Sequence, residues 1–203
     1  MSQAAFAADP PSGLSHQLEP GYMTSFIQLI ELFTPSECEQ IIYLNQPVSQ
    51  AQVVANKSEN EDELHLTMRN TKLKNVPRLT SNRWIYERVI AQVREVNARY
   101  YGFLLQQLTD FQVLEYENTG FYNTHLDIGT GETSRRKLSL VMFLTPREEY
   151  DGGELILKPN FPLLPQTQGS AVIFPSYIPH QIKPVTRGVR HTMVTWVIGP
   201  CFK

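Results

Sequence analysis

The sequence predicts an α+β fold in which helices come first and buttress a closed sandwich or barrel of short strands. Three observations predict it. Over 81–100 the apolar residues Trp84, Ile85, Val89, Val93 and Val96 recur at intervals of three and four, the period of a helix, and Gly102 ends the run. After Gly102 the pattern changes to short β-rich runs separated by turn residues. No internal repeat or low-complexity tract interrupts it, and 203 residues with 41% hydrophobic content suit one domain.

Taken in order, residues 1–22 carry Pro10, Pro11, Gly13, Pro20 and Gly21 and read as a flexible leader, with a single domain over 23–203. Residues 25–33 read as a strand. Thr34-Pro35-Ser36-Glu37 has the form of a helix start: Thr34 as N-cap, Pro35 in the first turn, and Glu37 placed to close a capping box. That helix is expected to run to about Leu44. Residues 45–80 predict a polar loop followed by a strand over Leu64–Leu73, and a loop this long suggests a lid over a substrate. Strands are expected at 111–116, 121–127, 137–144, 153–157, 169–174, 179–184 and 189–198, with turns at Gly120, Gly129–Gly131, Asp151–Gly153, Pro159-Asn160, Pro165 and Gly188.

Charge and composition exclude several classes. Eighteen basic and 20 acidic residues give a net charge of −2, so neither nucleic acid nor an anionic membrane is the expected partner. The N-terminus lacks a basic region followed by an apolar run, and no stretch approaches 18 consecutive apolar residues. Two cysteines outside any Cys-x-x-Cys spacing predict no disulfide framework and a reducing, cytoplasmic setting.

The chemistry concentrates between Tyr116 and Asp127. In a strand, residues i and i+2 share a face, so the His125 imidazole and the Asp127 carboxylate are expected to project together. Such a pair supplies two ligands of a 2-His-1-carboxylate triad of the kind that holds non-haem Fe(II). His180, after the turn Phe174–Pro179, is the candidate third ligand. Pro184–Gly188 has the composition of a tight hairpin, predicting that 189–198 lies alongside 179–184 and turns Arg190 toward the cavity of His180. A buried guanidinium there suits a bidentate grip on a carboxylate. His16 and His65 carry no such context, and His191, alternating with Arg190, reads as structural.

In order and at matching spacing, the chain carries Tyr116-x-x-x-Gly120-x-Tyr122-x-x-His125-x-Asp127, then Tyr150-Asp151-Gly152-Gly153-Glu154-Leu155. Phe174-Pro175-Ser176-x-x-x-His180 and Pro184-Val185-Thr186-x-Gly188-x-Arg190, with Trp196 six residues later, complete the set. These motifs resemble the prolyl 4-hydroxylase-like 2-oxoglutarate/Fe(II) dioxygenases, PKHD-type hydroxylases in particular, most densely over 111–198. The resemblance implies a double-stranded β-helix (a jelly-roll, cupin-like barrel). It implies that His125, Asp127 and His180 bind Fe(II) and are catalytic, that Arg190 holds the distal carboxylate of 2-oxoglutarate, and that Tyr116 and Trp196 line the site. Where several relatives have a tyrosine contacting that carboxylate, this chain has Phe143. Ser139, on the same face by alternation, and Thr192, on the face of Arg190, are the candidate replacements.

The implied reaction consumes O2 and 2-oxoglutarate, releases succinate and CO2, and hydroxylates an unactivated C–H bond, with ascorbate (vitamin C) a candidate reductant. Related halogenases lack a carboxylate at the position of Asp127, so hydroxylation is expected. The implied substrates are a prolyl or other residue in a peptide or protein, or a free amino acid. The alternatives are a cupin-like metal-dependent isomerase or hydrolase, and a non-catalytic jelly-roll binding module.

Overall fold

Two antiparallel sheets face each other in the computed structural model, which describes residues 26–29, 31–44, 46–51, 68–157 and 163–201. The leader at 1–22 lies outside these residues, as does the part of the expected lid at 52–67. The larger sheet has eight strands. Seven follow the order β1 (Ile27–Leu29), β11 (Ala171–Pro175), β8 (Arg136–Phe143), β14 (Val189–Ile198), β6 (Phe111–Glu117), β4 (Lys72–Val76) and β2 (Ser49–Gln50). The eighth, β5 (Gln107–Leu108), pairs with the end of β14. The smaller sheet runs β10 (Leu155–Leu157), β12 (His180–Ile182), β7 (Phe121–His125) and β3 (Arg69–Asn70). A short pair of β9 (Asp151–Gly152) and β13 (Val185–Arg187) stands apart. This is the expected double-stranded β-helix.

Alternation along the central strands assigns their faces. Leu138, Leu140 and Met142 of β8, Val113 of β6, and Met193 and Val197 of β14 pack with the helices in one core cluster. Val141 and Phe143, Leu114 and Tyr116, and Val194 pack in a second cluster between the sheets. Strands buried on both faces read as nearly continuous apolar runs, which is why 137–144 and 189–198 stand out in the sequence.

The helices form where their signals stand. Helix α1 (Pro35–Ile42) begins at Thr34, whose hydroxyl accepts from the Glu37 amide at 3.3 Å while the Glu37 carboxylate accepts from the Thr34 amide at 2.9 Å. Helix α2 (Arg83–Val96) buries Ile85, Val89, Val93 and Val96, the predicted stripe. A π-helical turn over Asn97–Tyr101 follows and ends at Gly102, whose left-handed φ of 64° suits a residue without a Cβ. Arg88 of α2 grips both carboxylate oxygens of Glu37, at 2.6 and 2.8 Å, so one side chain ties α2 to the start of α1.

Three expectations change. Strand β7 ends at His125, so Asp127 lies in the bend beyond it; its amide donates to the Ser176 carbonyl at 3.1 Å. The 179–184 and 189–198 segments are not hairpin partners. Val185–Arg187 pairs instead with Asp151–Gly152, and this carries the chain from the smaller sheet into the larger, where β14 inserts between β8 and β6. Within the strand expected over Leu64–Leu73, 64–67 lie outside the described residues, and the rest divides at Thr71 between β3 and β4 in different sheets. The Thr71 hydroxyl donates to the Glu115 carbonyl at 2.6 Å at this crossing.

Arg88 beside Glu37 holds its carboxyl down at about 2, against an ordinary 4.5, chiefly through their side-chain hydrogen bond. A depressed carboxyl stabilises the fold above its unfolded value, and that contribution disappears as pH falls from 4.5 toward 2. Glu37→Gln is therefore expected to cost about 1 kcal/mol at neutral pH. Urea unfolding of the two proteins should converge as the pH approaches 2.

Candidate metal centre and carboxylate pocket

The smaller sheet builds the centre. His125 at the end of β7 pairs in register with His180 at the start of β12. Their ring centroids are 4.2 Å apart, and Asp127 completes the set from the bend, with one candidate ligand atom from each residue lying within 4.8 Å of the others. The three side chains are 11, 10 and 6% exposed for His125, Asp127 and His180, which is far too buried for solvent to satisfy them.

Both imidazoles are set by the same local device. His125 Nδ1 lies 2.8 Å from the Asn123 carbonyl and His180 Nδ1 lies 3.0 Å from the Ile178 carbonyl, in each case two residues back. A carbonyl only accepts, so each Nδ1 carries the hydrogen and each Nε2 is left with a lone pair. Those Nε2 atoms point to Asp127, at 3.7 Å from Oδ1 for His125 and 3.4 Å from Oδ2 for His180. Two bare imidazole nitrogens and a carboxylate around one point form a donor set suited to a divalent transition metal. Tyr122 stacks on His125 at 3.5 Å between centroids, and Phe174 meets His180 edge-on at 4.9 Å.

Electrostatics agree with a site arranged for a cation. Burial pushes the His125 ring below its ordinary value, with His180 adding to the shift and Asp127 opposing it. The Asp127 carboxyl is held down: burial raises it, but His180 and His125 outweigh that, with Ser139 and Trp196 assisting.

From the larger sheet, Arg190, Thr192 and Trp196 of β14 share one face, and Tyr116 of β6 lies opposite Arg190 in register. Arg190 is 1% exposed, and among the described residues its Nε, Nη1 and Nη2 meet no hydrogen-bond partner within bonding geometry. The guanidinium sits between aromatic faces, 5.2 Å from the Tyr116 ring and 5.8 Å from the Phe143 ring. Burial lowers its pKa while Tyr116 and Tyr150 favour the charged form. An arginine keeps its proton in such a setting, so a charge is stored here with no counter-ion among the described residues. Gly153 makes room for it: a Cβ there would stand 2.7 Å from Arg190 Cδ.

A cavity of about 450 Å³ opens over the triad, lined by His125, Asp127 and His180 and also by Tyr116, Thr192 and Trp196. Arg190, beside Tyr116 in register and two residues before Thr192, does not itself line this cavity. Of the two candidate replacements for the tyrosine hydroxyl absent at Phe143, Thr192 pairs with Phe143 in register. Ser139 lies four residues back, in the middle of β8 and paired with Trp196, bonded to the Ser176 hydroxyl at 2.9 Å beside Asp127. His191 meets Glu115 at 3.3 Å and Thr145 at 3.3 Å, outside the cavity.

Sequence reasoning assigned no role to Tyr150, Arg69 or Arg136. Tyr150, buried at 2%, stands beside Arg190, and its place in the Tyr150–Leu155 motif was the available signal. Arg69 and Arg136 line the cavity on either side of the triad, and nothing in their flanking residues announces it.

Residues 111–198 match the family model described as the 2OG-Fe(II) oxygenase superfamily. A PKHD-type hydroxylase of Alteromonas mediterranea is 34% identical over 90 residues, 40% of this chain and 40% of that protein. The chain thus spans well under half the length of the curated relatives it matches. A prolyl-4-hydroxylase from Pseudomonas putida superposes with a TM-score of 0.62 at 19% identity, covering 87% of this chain and 94% of that one. The Trichoplax adhaerens prolyl hydroxylase, solved with a hypoxia inducible factor oxygen degradation domain peptide fragment, gives 0.69 at 18% identity over 86 and 83%. Over 111–198 the chain is similar to the 2OG-Fe(II) oxygenase superfamily and to PKHD-type hydroxylases, and its fold is that of the solved prolyl hydroxylases.

A His125 ring whose charged form is penalised by burial makes the metal-free protein more stable above an imidazole's ordinary value of about 6.5 than below it. In an NMR titration of metal-free protein, the His125 ring is expected to remain neutral at about pH 6, where a solvated histidine is mostly charged. A His125 ring protonated at that pH would contradict the geometry.

Proposed function

We propose that this chain, a 2OG-Fe(II) oxygenase relative over 111–198, is an Fe(II)- and 2-oxoglutarate-dependent dioxygenase. Its reaction is hydroxylation of an unactivated C–H bond, with release of succinate and CO2. The substrate is a prolyl or other residue of a peptide or protein, or a free amino acid. The observation that carries this reading is a His/Asp/His donor set in one barrel with a buried, unpartnered guanidinium. A cupin-like isomerase or hydrolase, or a non-catalytic module, gives Arg190 no use.

The residues present fit both groups. His125, Asp127 and His180 would hold Fe(II) through their bare nitrogens and a carboxylate. Arg190 would hold the distal carboxylate of 2-oxoglutarate, supplying the missing counter-ion. When bound, iron with 2-oxoglutarate and O2 supplies the oxidation, coupling decarboxylation to insertion of one oxygen atom.

The chain's own residues do the remainder. The Asn123 and Ile178 carbonyls keep the two imidazoles in the ligating tautomer. Tyr116, Phe143 and the inner face of β14 exclude water around Arg190, which strengthens its hold on an anion. Thr192 and Tyr150 are the hydroxyls available near Arg190 where Phe143 offers none. Asp127 contributes the carboxylate that makes hydroxylation the outcome.

A cytoplasmic setting is supported by two free cysteines, Cys38 and Cys201. Among the described residues no helix is long and apolar enough to cross a membrane. Ascorbate is the proposed reductant for an iron centre that oxidises without turnover.

The deciding experiment loads the protein with Fe(II) under anaerobic conditions, adds 2-oxoglutarate and records the visible charge-transfer band. No band, with no succinate formed once air is admitted, overturns the reading. Arg190→Ala is expected to raise the KM for 2-oxoglutarate by about 30-fold or more, equivalent to about 2 kcal/mol, while Fe(II) affinity changes much less. Asp127→Ala should lose hydroxylation altogether, measured as mass gain of one oxygen across a peptide and amino-acid panel; full turnover in that variant contradicts the ligand set.

A further inference from the structure

The proposed reaction leaves two guanidiniums in the cavity without a task. Arg69 comes from β3, the edge strand of the smaller sheet. It is 7% exposed, its Nε has no hydrogen-bond partner among the described residues, and its guanidinium lies 4.7 Å from the centre of the Tyr122 ring. Arg136 comes from the start of β8 in the larger sheet. Its guanidinium stacks 3.7 Å from the centre of the Trp196 ring, and Nη1 donates to the Asp127 backbone carbonyl at 3.1 Å. Both face the cavity over the triad, one from each sheet. Among the described residues neither forms an ion pair.

Among the described residues the cavity wall carries a single carboxylate, that of Asp127, which belongs to the triad. On the reading above, Fe(II), Asp127, doubly charged 2-oxoglutarate and Arg190 balance one another in charge. Arg69 and Arg136 are then both in excess. A partly desolvated cation without a counter-ion is costly, and aromatic faces recover only part of the cost. Among the described residues no group answers them, and two planar donor forks suit a carboxylate carried by a substrate.

We propose that Arg69 and Arg136 form a carboxylate subsite, so that the substrate presents a carboxylate close to the carbon that is hydroxylated. This rests on the dioxygenase reading and narrows its substrate. The carboxylate is either the α-carboxylate of a free amino acid or chain terminus, or an acidic side chain within a peptide. Neutral substrates forfeit this contact. Because the two arginines stand on opposite sheets, their grip also orients the substrate across the mouth of the barrel.

The test is calorimetry on full-length protein loaded anaerobically with Fe(II) and 2-oxoglutarate, so that binding is read without turnover. The probes are N-acetyl derivatives of the common amino acids, each as free acid and as amide. Comparing acid with amide tests the α-carboxylate; comparing the aspartate and glutamate amides with those of asparagine and glutamine tests the side chain. At least one comparison is expected to favour the carboxylate by about tenfold or more. That preference should shrink in Arg69→Gln and in Arg136→Gln, and persist in Arg83→Gln, which removes a charge from the exposed face of α2. Equal binding of acids and amides, no binding by any probe, or a preference that survives in both Arg69→Gln and Arg136→Gln overturns the proposal. Failure of the dioxygenase reading shows separately, as a missing charge-transfer band; the same probes on metal-free protein then judge the subsite alone.

Discussion

The pairing of His180 with His125 across β12 and β7 is the constraint on which the rest of the site depends. It sets two imidazoles side by side on one small sheet, and the carbonyls two residues back turn each Nε2 toward a common point. The His125 ring is oriented by the Asn123 carbonyl within β7, and the His180 ring by the Ile178 carbonyl in the turn before β12. Asp127 then has only to reach that point from the bend, which its amide contact to Ser176 secures. A one-residue slip in this pairing would turn one imidazole away from the other and leave the carboxylate without partners.

The larger sheet answers the smaller by alternation. Every second residue of β14, from Arg190 to Trp196, faces inward, while Met193 and Val197 between them join the helix-side core. One strand therefore carries a cationic end at Arg190 and an end beside the His/Asp/His triad at Trp196. Phe143 and Ser139 repeat the division on β8, the first beside Arg190 and the second beside Asp127. The polarity of the cavity is thus written along the strand axis, and this separates the two candidate replacements for a single missing hydroxyl.

Much of this was legible because it rests on local chemistry. The capping box at Thr34, the stripe of α2 and its end at Gly102 are short-range signals, and each element forms where its signal stands. The motif spacing named the residues that the structure brings around the triad. What was not legible depends on long-range pairing. The Pro184–Gly188 composition looks like a hairpin, yet Val185 and Arg187 take their partners from Asp151 and Gly152, more than 30 residues away. Gly120 closes the expected turn, its amide donating to the Glu117 carbonyl at 2.7 Å, but the positive φ values fall on Asn118 and Thr119, and the turn joins strands of different sheets. Arg69 and Arg136 were invisible for the same reason: they gain meaning only when two sheets face each other.

The stacking of Arg136 on Trp196 makes the site visible to light. The chain has two tryptophans, and they occupy opposite sides of the larger sheet. Trp84 packs edge-on against Phe33 among the helices, with the Arg88 guanidinium 5.2 Å from its ring centre, and does not line the cavity. Trp196 has a guanidinium over its ring and helps hold the Asp127 carboxylate in its charged form. A fixed charge so near an indole shifts its excited state, and a metal drawing on Asp127 or an anion drawing on Arg136 alters that field. One indole reports on occupancy of the barrel, and the other serves as the reference within the same emission spectrum.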